Sequence, residues 1–153
     1  MIGYRIADAR HPIYDGTGAM LRGGRWNSVG KRVIYAAESY AGAILEVLVH
    51  ANLSVPPKHH QVVRISIPDP VKVETVSASA LPGWNGEDLM VAQAFGDAWL
   101  RQARTAILRV PSVVTEGREY NILINPAHSQ AGLIEASNPE PVRWDPRLFA
   151  PPA

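Results

Sequence analysis

The sequence predicts a single α+β domain, with six or seven short strands, two substantial helices and no regular βαβ alternation. Three observations carry that prediction. Apolar residues alternate over short runs such as IGYRIA (2–7) and 60–67, but recur at three-to-four spacing over 39–52 and 87–104. Prolines, 13 in all, punctuate the expected strand ends at Pro68, Pro70, Pro111 and Pro126, then crowd between Pro139 and Pro152. Proline lacks an N–H for the sheet ladder and so ends or edges strands. At 153 residues and 46% hydrophobic content, the chain can bury one core and is short for two. The expected organisation is one domain over 1–153, with its core over about 2–137 and a proline-rich tail, 138–153, laid over the surface.

In chain order, residues 2–7 read as a strand with Tyr4 and Ile6 on one face and Gly3 and Arg5 on the other. A long loop follows over 8–24, rich in Gly, Asp and Pro and ending in Gly23-Gly24; loops of that length tend to be functional or mobile. Residues 31–37, KRVIYAA, form a second strand. Ser39 suits the N-cap of a helix running to about Asn52, whose expected buried stripe is Ala41, Ile44, Leu45, Leu48 and Val49. After the Pro56-Pro57 linker, 60–67 alternates as a strand with Val63, Ile65 and Ile67 on one face, and VKVETV (71–76) is another. The turn cluster 81–86 precedes a helix over about 87–104. Its expected core set is Val91, Phe95, Ala98 and Trp99, flanked by Leu89 and Ala92, with Arg101 and Arg104 at the C-terminal end. Strands at 106–110, 120–124 and 133–136 complete the sheet.

Composition removes several function classes. Fifteen basic against 14 acidic residues leave a net charge of +1, so no general attraction to nucleic acid or anionic membrane is expected. With no cysteine, disulfides, thiolate metal sites and a cysteine nucleophile are excluded. The five histidines include the adjacent His59-His60 but no HExxH, so no zinc site is expected. MIGYRIADAR has neither the basic n-region nor the apolar run of a secretory signal, and no stretch approaches the ~20 apolar residues of a membrane span. A cytoplasmic enzyme or partner protein is the expectation. GxGxxG, GxxxxGK[ST] and GxSxG arrangements are all absent from the sequence.

The chemistry-bearing stretch is 22–50, RGGRWNSVGKRVIYAAESYAGAILEVLVH, which delivers Arg25 on a Gly-Gly turn, Tyr35 on a strand and Glu46 on a helix. Glycines permit close backbone approach and positive φ. The planar guanidinium of arginine suits a diphosphate better than a lysine does. Each residue also has a plainer reading. Arg25 could stack on Trp26 at the surface, Tyr35 could be a core aromatic, and Ser112 after Pro111 could be a turn residue. Glu46 has small neighbours one turn back, Gly42 and Ala43, leaving room for a ligand. It could equally be a solvated carboxylate paired with His50 at i+4, the reading that spacing alone prefers.

The order and spacing of GTGAMLRGGRWNSVGKRVIYAAESYAGAILEVLVH, with YRI around Arg5 ahead of it, resemble the RES domain, the toxin of RES–Xre toxin–antitoxin pairs. RVPSVVTEGREYNILINPAH is similar to the family's second block, and Pro82-Gly83-Trp84 sits where the family often carries a tryptophan. The resemblance implies an ADP-ribosyltransferase-like fold and an enzyme that degrades NAD+ by breaking the nicotinamide–ribose bond, arresting growth. Carried over by position, it implies Arg25, Tyr35, Glu46 and Ser112 as catalytic residues, with Arg5, Asn27 and Asn121 as further substrate contacts. In those roles Glu46 stabilises the sugar cation, Arg25 holds phosphate, Tyr35 stacks on nicotinamide, and Ser112 bonds the carboxamide or ribose. It further implies that NAD+ is substrate, that no cofactor or metal is needed, and that an Xre-type helix-turn-helix antitoxin covers the site in an oligomeric complex. Water or phosphate is the expected acceptor; a protein acceptor is the alternative, and a non-catalytic binding module the more distant one.

Overall fold

The computed structural model describes residues 1–51 and 54–149. In chain order its elements are β1 (Ile2–Asp8), α1 (Thr17–Arg22), β2 (Ile34–Ala37), α2 (Tyr40–Ala51), β3 (His60–Ser66), β4 (Val73–Thr75), α3 (Met90–Gln102), β5 (Ile107–Pro111), β6 (Tyr120–Ile124), β7 (Glu135–Ala136) and β8 (Glu140–Pro141). All the strands belong to one sheet, ordered β4-β5-β6-β2-β1-β3-β7, with β8 pairing with β3. Only the β4–β5 pair is parallel; the others are antiparallel. The α+β expectation therefore holds, with eight strands and three α-helices among the described residues. No helix among the described residues is long and apolar enough to cross a membrane.

Register decides which residues meet. Tyr4 pairs with Ala37, Ala37 with Asn121, Tyr35 with Leu123, and Val110 with Asn121. Because strand side chains alternate, Tyr4, Tyr35, Ala37, Asn121, Leu123 and Val110 share one face. Both longer helices cover that face. Ala43 and Val47 of α2 pack on Ile6 and Ala37, while Ala92 and Trp99 of α3 pack on Leu108, Val110 and Leu123. Trp99 is fully buried, and its indole N–H finds Thr105 Oγ1 at 2.9 Å. Burying such side chains stabilises the fold by roughly 1.5–3 kcal/mol each. The opposite face carries Ile34, Ala36, Val63, Ile65, Ile107, Ile122 and Ile124, covered by Ile13 and Ile134. Val63, Ile65 and Ile67 are all buried, as their alternation predicts.

The stretch expected as a loop over 8–24 contains α1. This helix is only six residues long, too short to show a periodic stripe. The Asp15 carboxylate accepts from Thr17 N (3.0 Å) and Thr17 Oγ1 (2.9 Å) to start it, and Gly23, at φ 72°, ends it by donating to the Ala19 carbonyl at 2.8 Å. The second strand is shorter than 31–37 because the Lys31 carbonyl is taken by the Asn27 amide (3.1 Å), leaving only Ile34–Ala37 for the sheet.

Ser39 caps α2 as expected, its hydroxyl accepting from Gly42 N at 2.9 Å. The buried stripe differs. Ala41, Leu45 (39% exposed) and Val49 (58% exposed) face outward, and the buried residues are Ala43 and Val47. The small face lies against the sheet: a Cβ on Gly42 would stand 3.3 Å from the Ala37 methyl. Small residues permit that close approach, and the larger aliphatic side chains turn away. Val91 of α3 is likewise exposed, while Ala92, Gly96 and Trp99 are buried. Asn52, the expected end of α2, lies outside the described residues, as do Pro151 and Pro152. Packing continues past 137, where β8 pairs with β3 and Val142 and Phe149 are buried.

Candidate active site

A tight turn, a strand pair and a helix build the site. The turn Gly24–Asn27 closes on itself, Gly24 N donating to the Asn27 carbonyl at 2.9 Å. It is held from three sides. Asn27, fully buried, donates from Nδ2 to the carbonyls of Ala19 (2.9 Å), Lys31 (3.1 Å) and Ser28 (3.3 Å). The Tyr35 hydroxyl donates to Asn27 Oδ1 at 2.6 Å and accepts from Trp26 N at 3.0 Å. From α3, Gln93 Nε2 donates to the Gly24 carbonyl (2.9 Å) and the Asn27 carbonyl (3.3 Å), and Asp97 accepts from Ser28 N (3.0 Å) and Ser28 Oγ (2.6 Å). Gly24 must lack a side chain, since a Cβ there would lie 2.8 Å from the Tyr35 hydroxyl. Gly96 must as well: a Cβ would sit 1.7 Å from the Trp26 carbonyl oxygen. The turn thereby presents Arg25, whose Nη1 donates to the carbonyls of Trp84 (3.2 Å) and Gly86 (3.0 Å). Those bonds, and the burial of Trp26 against Phe95, displace the surface Arg25–Trp26 stack from the picture.

Glu46 projects from α2 toward β6 and the loop after β5. Its Oε1 accepts from Asn121 Nδ2 at 2.9 Å and from Ser112 Oγ at 3.3 Å, and its Oε2 faces His50 Nε2 at 3.4 Å. The i+4 pair with His50 is present, and the same carboxylate is also held from the sheet. Burial pushes its acidity toward higher pKa, but the hydrogen bonds from His50, Asn121 and Ser112, with the His50 charge, outweigh burial and leave the carboxyl below its ordinary value. His50 moves the other way, raised chiefly by its hydrogen bond to Glu46. Burial raises the Tyr35 phenol well above its usual value, so the hydroxyl stays a neutral donor.

Two adjoining cavities, of about 330 and 370 Å³, share Arg5, Tyr35, Glu46, His50 and Asn121. The first is mostly apolar, walled by Tyr4, Ile6, Ala36, Ala37, Ala43 and Val47. The second runs along Arg22, Gly23, Gly24, Arg25 and Trp26 to Pro111, Val113 and Val114. Glu46 stands at the junction and is the one carboxylate among the described residues lining either cavity. No group of three or more metal-ligating side chains gathers among the described residues.

The structure brings together Arg5, Arg25, Tyr35, Glu46 and Asn121 from the sequence-derived set. Arg5 is anchored by donating to the carbonyls of Ile13 (2.6 Å) and Tyr35 (2.8 Å), and burial pulls its pKa down. Ser112 is buried, 4% exposed, and reaches the cavities only through Glu46. Asn27 lines neither cavity; burial makes it a brace of the turn, not a surface for substrate. Sequence reasoning did not single out Gln93, Gly96 and Asp97 as a clamp. The three- and four-residue spacing of the clamp shows in sequence that they share a face of α3, though not what that face holds.

The RES domain family matches residues 2–145 of this chain. The chain is 43% identical to the Prs ADP-ribosylating toxin of Sphingobium sp. (strain YBL2) over 154 residues, 95% of each protein. It is 36% identical to Toxin Res of Pseudomonas putida (strain KT2440), over 86% of this chain and 88% of that protein. The fold superposes with a TM-score of 0.76 on a chain in the crystal structure of the M. tuberculosis MbcT–MbcA toxin–antitoxin complex, at 21% identity, covering 96% of this chain and 85% of that one. The likeness to that solved structure agrees with the ADP-ribosyltransferase-like fold that the sequence resemblance implies.

Proposed function

This chain belongs to the RES domain family, and from that premise we propose that it is the toxin of a toxin–antitoxin pair and that it breaks the nicotinamide–ribose bond of NAD+. One observation carries the reading: a single ionised, half-buried carboxylate fixed at the junction of an apolar and an arginine-lined cavity. Most glycosidases need two carboxyl groups, one of them an acid to protonate the departing oxygen. Nicotinamide in NAD+ is a pyridinium. It leaves as a neutral ring with the electron pair of the C–N bond, so no acid is required. Positive charge then develops on the ribose, and a fixed carboxylate stabilises that charge more than it stabilises the ground state.

In this mechanism Glu46, oriented by Asn121 and Ser112, lies against the ribose, and Arg25 meets the phosphates. Tyr35 lines both cavities while its hydroxyl braces the turn, and in this reading its ring forms the floor beneath the scissile bond. An acceptor oxygen forms the new bond to the ribose carbon as the C–N bond breaks; water releases a proton to solvent, whereas phosphate adds through an anionic oxygen and releases none. Water as acceptor yields ADP-ribose and phosphate yields its phosphorylated form; either exhausts the cytoplasmic NAD+ on which growth depends. A protein acceptor is the second reading, favoured by the name of the Sphingobium relative, an ADP-ribosylating toxin. By family resemblance the partner is an Xre-type antitoxin that covers the open cleft; the MbcT–MbcA structure is itself a toxin–antitoxin complex.

The test is NAD+ concentration over time with purified, partner-free protein, phosphate present or absent, beside Glu46→Gln and Arg25→Ala. Wild type should deplete NAD+, and Glu46→Gln should lose at least ~100-fold in rate while remaining folded. Mass analysis separates ADP-ribose, its phosphorylated form and a protein adduct. NAD+ left intact, with and without cell lysate, refutes the reading.

A further inference from the structure

Three arginines, Arg5, Arg22 and Arg25, line the polar cavity against one carboxylate, Glu46. Arg5 and Arg25 already donate to backbone carbonyls. The exposed Arg22 side chain has no hydrogen bond or ion pair among the described residues, a state it shares with Arg101, Arg118 and Arg143, but of these four it alone lines the cavity. Its guanidinium nevertheless has a defined place. It folds back over Gly18, one turn earlier in α1, so that a Cβ at Gly18 would lie 2.9 Å from Arg22 Nη2. Gly18 and Arg22 line the cavity together, beside the Gly23-Gly24 backbone and Arg25. A basic residue at a helix C-terminus complements the helix dipole, but a six-residue helix has little dipole. That account also leaves the vacant side-chain position at Gly18 unexplained.

We propose that Arg22 is the second arginine of a diphosphate-binding wall, gripping the diphosphate of the dinucleotide together with Arg25. The inference rests on the NAD+ reading above and deepens it. The apolar cavity then takes the nicotinamide, the polar cavity takes the ADP portion, and the scissile bond falls at Glu46 between them. Arg25, tied to two carbonyls, is the fixed donor. Arg22, held only by the space over Gly18, is the adjustable one, and its planar fork supplies paired donors to phosphate oxygens. Arg22 is therefore a residue that selects for phosphate-bearing substrates without taking part in bond cleavage.

The test is equilibrium binding of ADP-ribose by calorimetry, which needs no turnover, with adenosine as the phosphate-free control. Arg22→Ala should weaken ADP-ribose binding roughly tenfold, the loss of one charge-assisted contact at a partly exposed site, and leave adenosine unchanged. Arg22→Lys should recover part of the loss. Gly18→Ala, which keeps the charge and fills the space beneath it, should weaken ADP-ribose binding without lowering helix stability. In turnover, Arg22→Ala should raise KM for NAD+ and leave kcat within about twofold, as expected when uniform binding is lost. ADP-ribose binding within twofold of wild type in Arg22→Ala overturns the assignment, as does wild type that fails to bind ADP-ribose. A loss confined to the requirement for inorganic phosphate also overturns it, because the arginine would then serve the acceptor. Arg22-dependent ADP-ribose binding in a protein that leaves NAD+ intact would support the wall while sinking the catalytic reading; the converse result sinks only the wall.

Discussion

Tyr35→Phe separates two roles for the tyrosine that share one side chain. Tyr35 lines both cavities, but its hydroxyl is spent on the turn, donating to Asn27 Oδ1 at 2.6 Å and accepting from Trp26 N at 3.0 Å. Removing the oxygen strands one acceptor and one backbone donor in a buried setting. Each stranded group costs about 1–3 kcal/mol. Part of that is returned because the phenol oxygen no longer has to be buried, which leaves a net loss of about 2–4 kcal/mol. For a chain of this size the midpoint of thermal unfolding should fall by roughly 5–15 °C. The assay is urea unfolding of both proteins, followed by NAD+ consumption well below the lowered midpoint. Turnover per folded molecule should stay within about tenfold of wild type, with any loss arising from a looser Arg25. Stability within ~0.5 kcal/mol of wild type, joined to a collapse of turnover, would refute the argument. The hydroxyl would then contact substrate and the bonds to the turn would be dispensable.

Three further outcomes follow from the same geometry. Gly96→Ala drives a methyl group to 1.7 Å from the Trp26 carbonyl oxygen, where neither backbone can yield. It should cost about 3 kcal/mol or more and release the Gln93 and Asp97 clamps, read as lower urea resistance and faster proteolysis near the turn. Asn121→Ala should cut kcat about 10- to 100-fold with little change in KM, because it frees the carboxylate to rotate without touching the phosphates. The Glu46–His50 pair gives a narrow pH signature. The folded Glu46 pKa is depressed, so its contribution is full above the ordinary carboxylate value and is lost as pH falls through the folded one. The folded His50 pKa is raised, so its contribution is full below ~6.5 and is lost as pH rises through the folded value. Both are present together between about pH 4.5 and 6.5. Because the His50 side chain is 79% exposed, its share is small, below ~1 kcal/mol. Urea midpoints of His50→Gln against wild type across pH 4–9 should therefore differ most near pH 6 and converge as the pH rises through the folded His50 value.

Much of the frame was legible because strands and turns declare themselves locally. Alternation located β1 and β3, prolines marked the ends of β3, β5 and β6, and Ser39 announced the start of α2. What escaped were features set by partners distant in sequence. Asn27 carries no sign that its amide will be consumed by three carbonyls, so it read as a possible substrate contact when its burial makes it a brace. α1 was hidden because six residues cannot display a period. Ser112 looked like either a turn residue or a ligand-binding one; it is buried at the start of a turn, with its hydroxyl on the carboxylate of Glu46.

The misplaced stripe on α2 bears directly on how the site works. Counting large aliphatic residues puts Leu45 and Val49 inward and turns Glu46 toward solvent, which is why spacing alone favours the solvated reading. The sheet beneath α2 offers the Ala37 methyl, and a helix can approach it closely only through Gly42, Ala43 and Val47. That rotation brings Glu46 over β6, within 2.9 Å of Asn121, and leaves Leu45 and Val49 outside. The small residues therefore do more than make room for a ligand. They set the rotation of the helix, and the rotation decides whether the carboxylate is held by the sheet or lost to solvent. A larger side chain at Gly42 would test this link. A Cβ there already comes within 3.1 Å of Ser39 Oγ and 3.3 Å of Ala37 Cβ, so Gly42→Val should lift α2 and lengthen the Glu46–Asn121 contact. Turnover should then fall even though every residue proposed to touch the substrate is intact. Retained activity in a folded Gly42→Val protein would show that the carboxylate finds its place without the close helix–sheet contact.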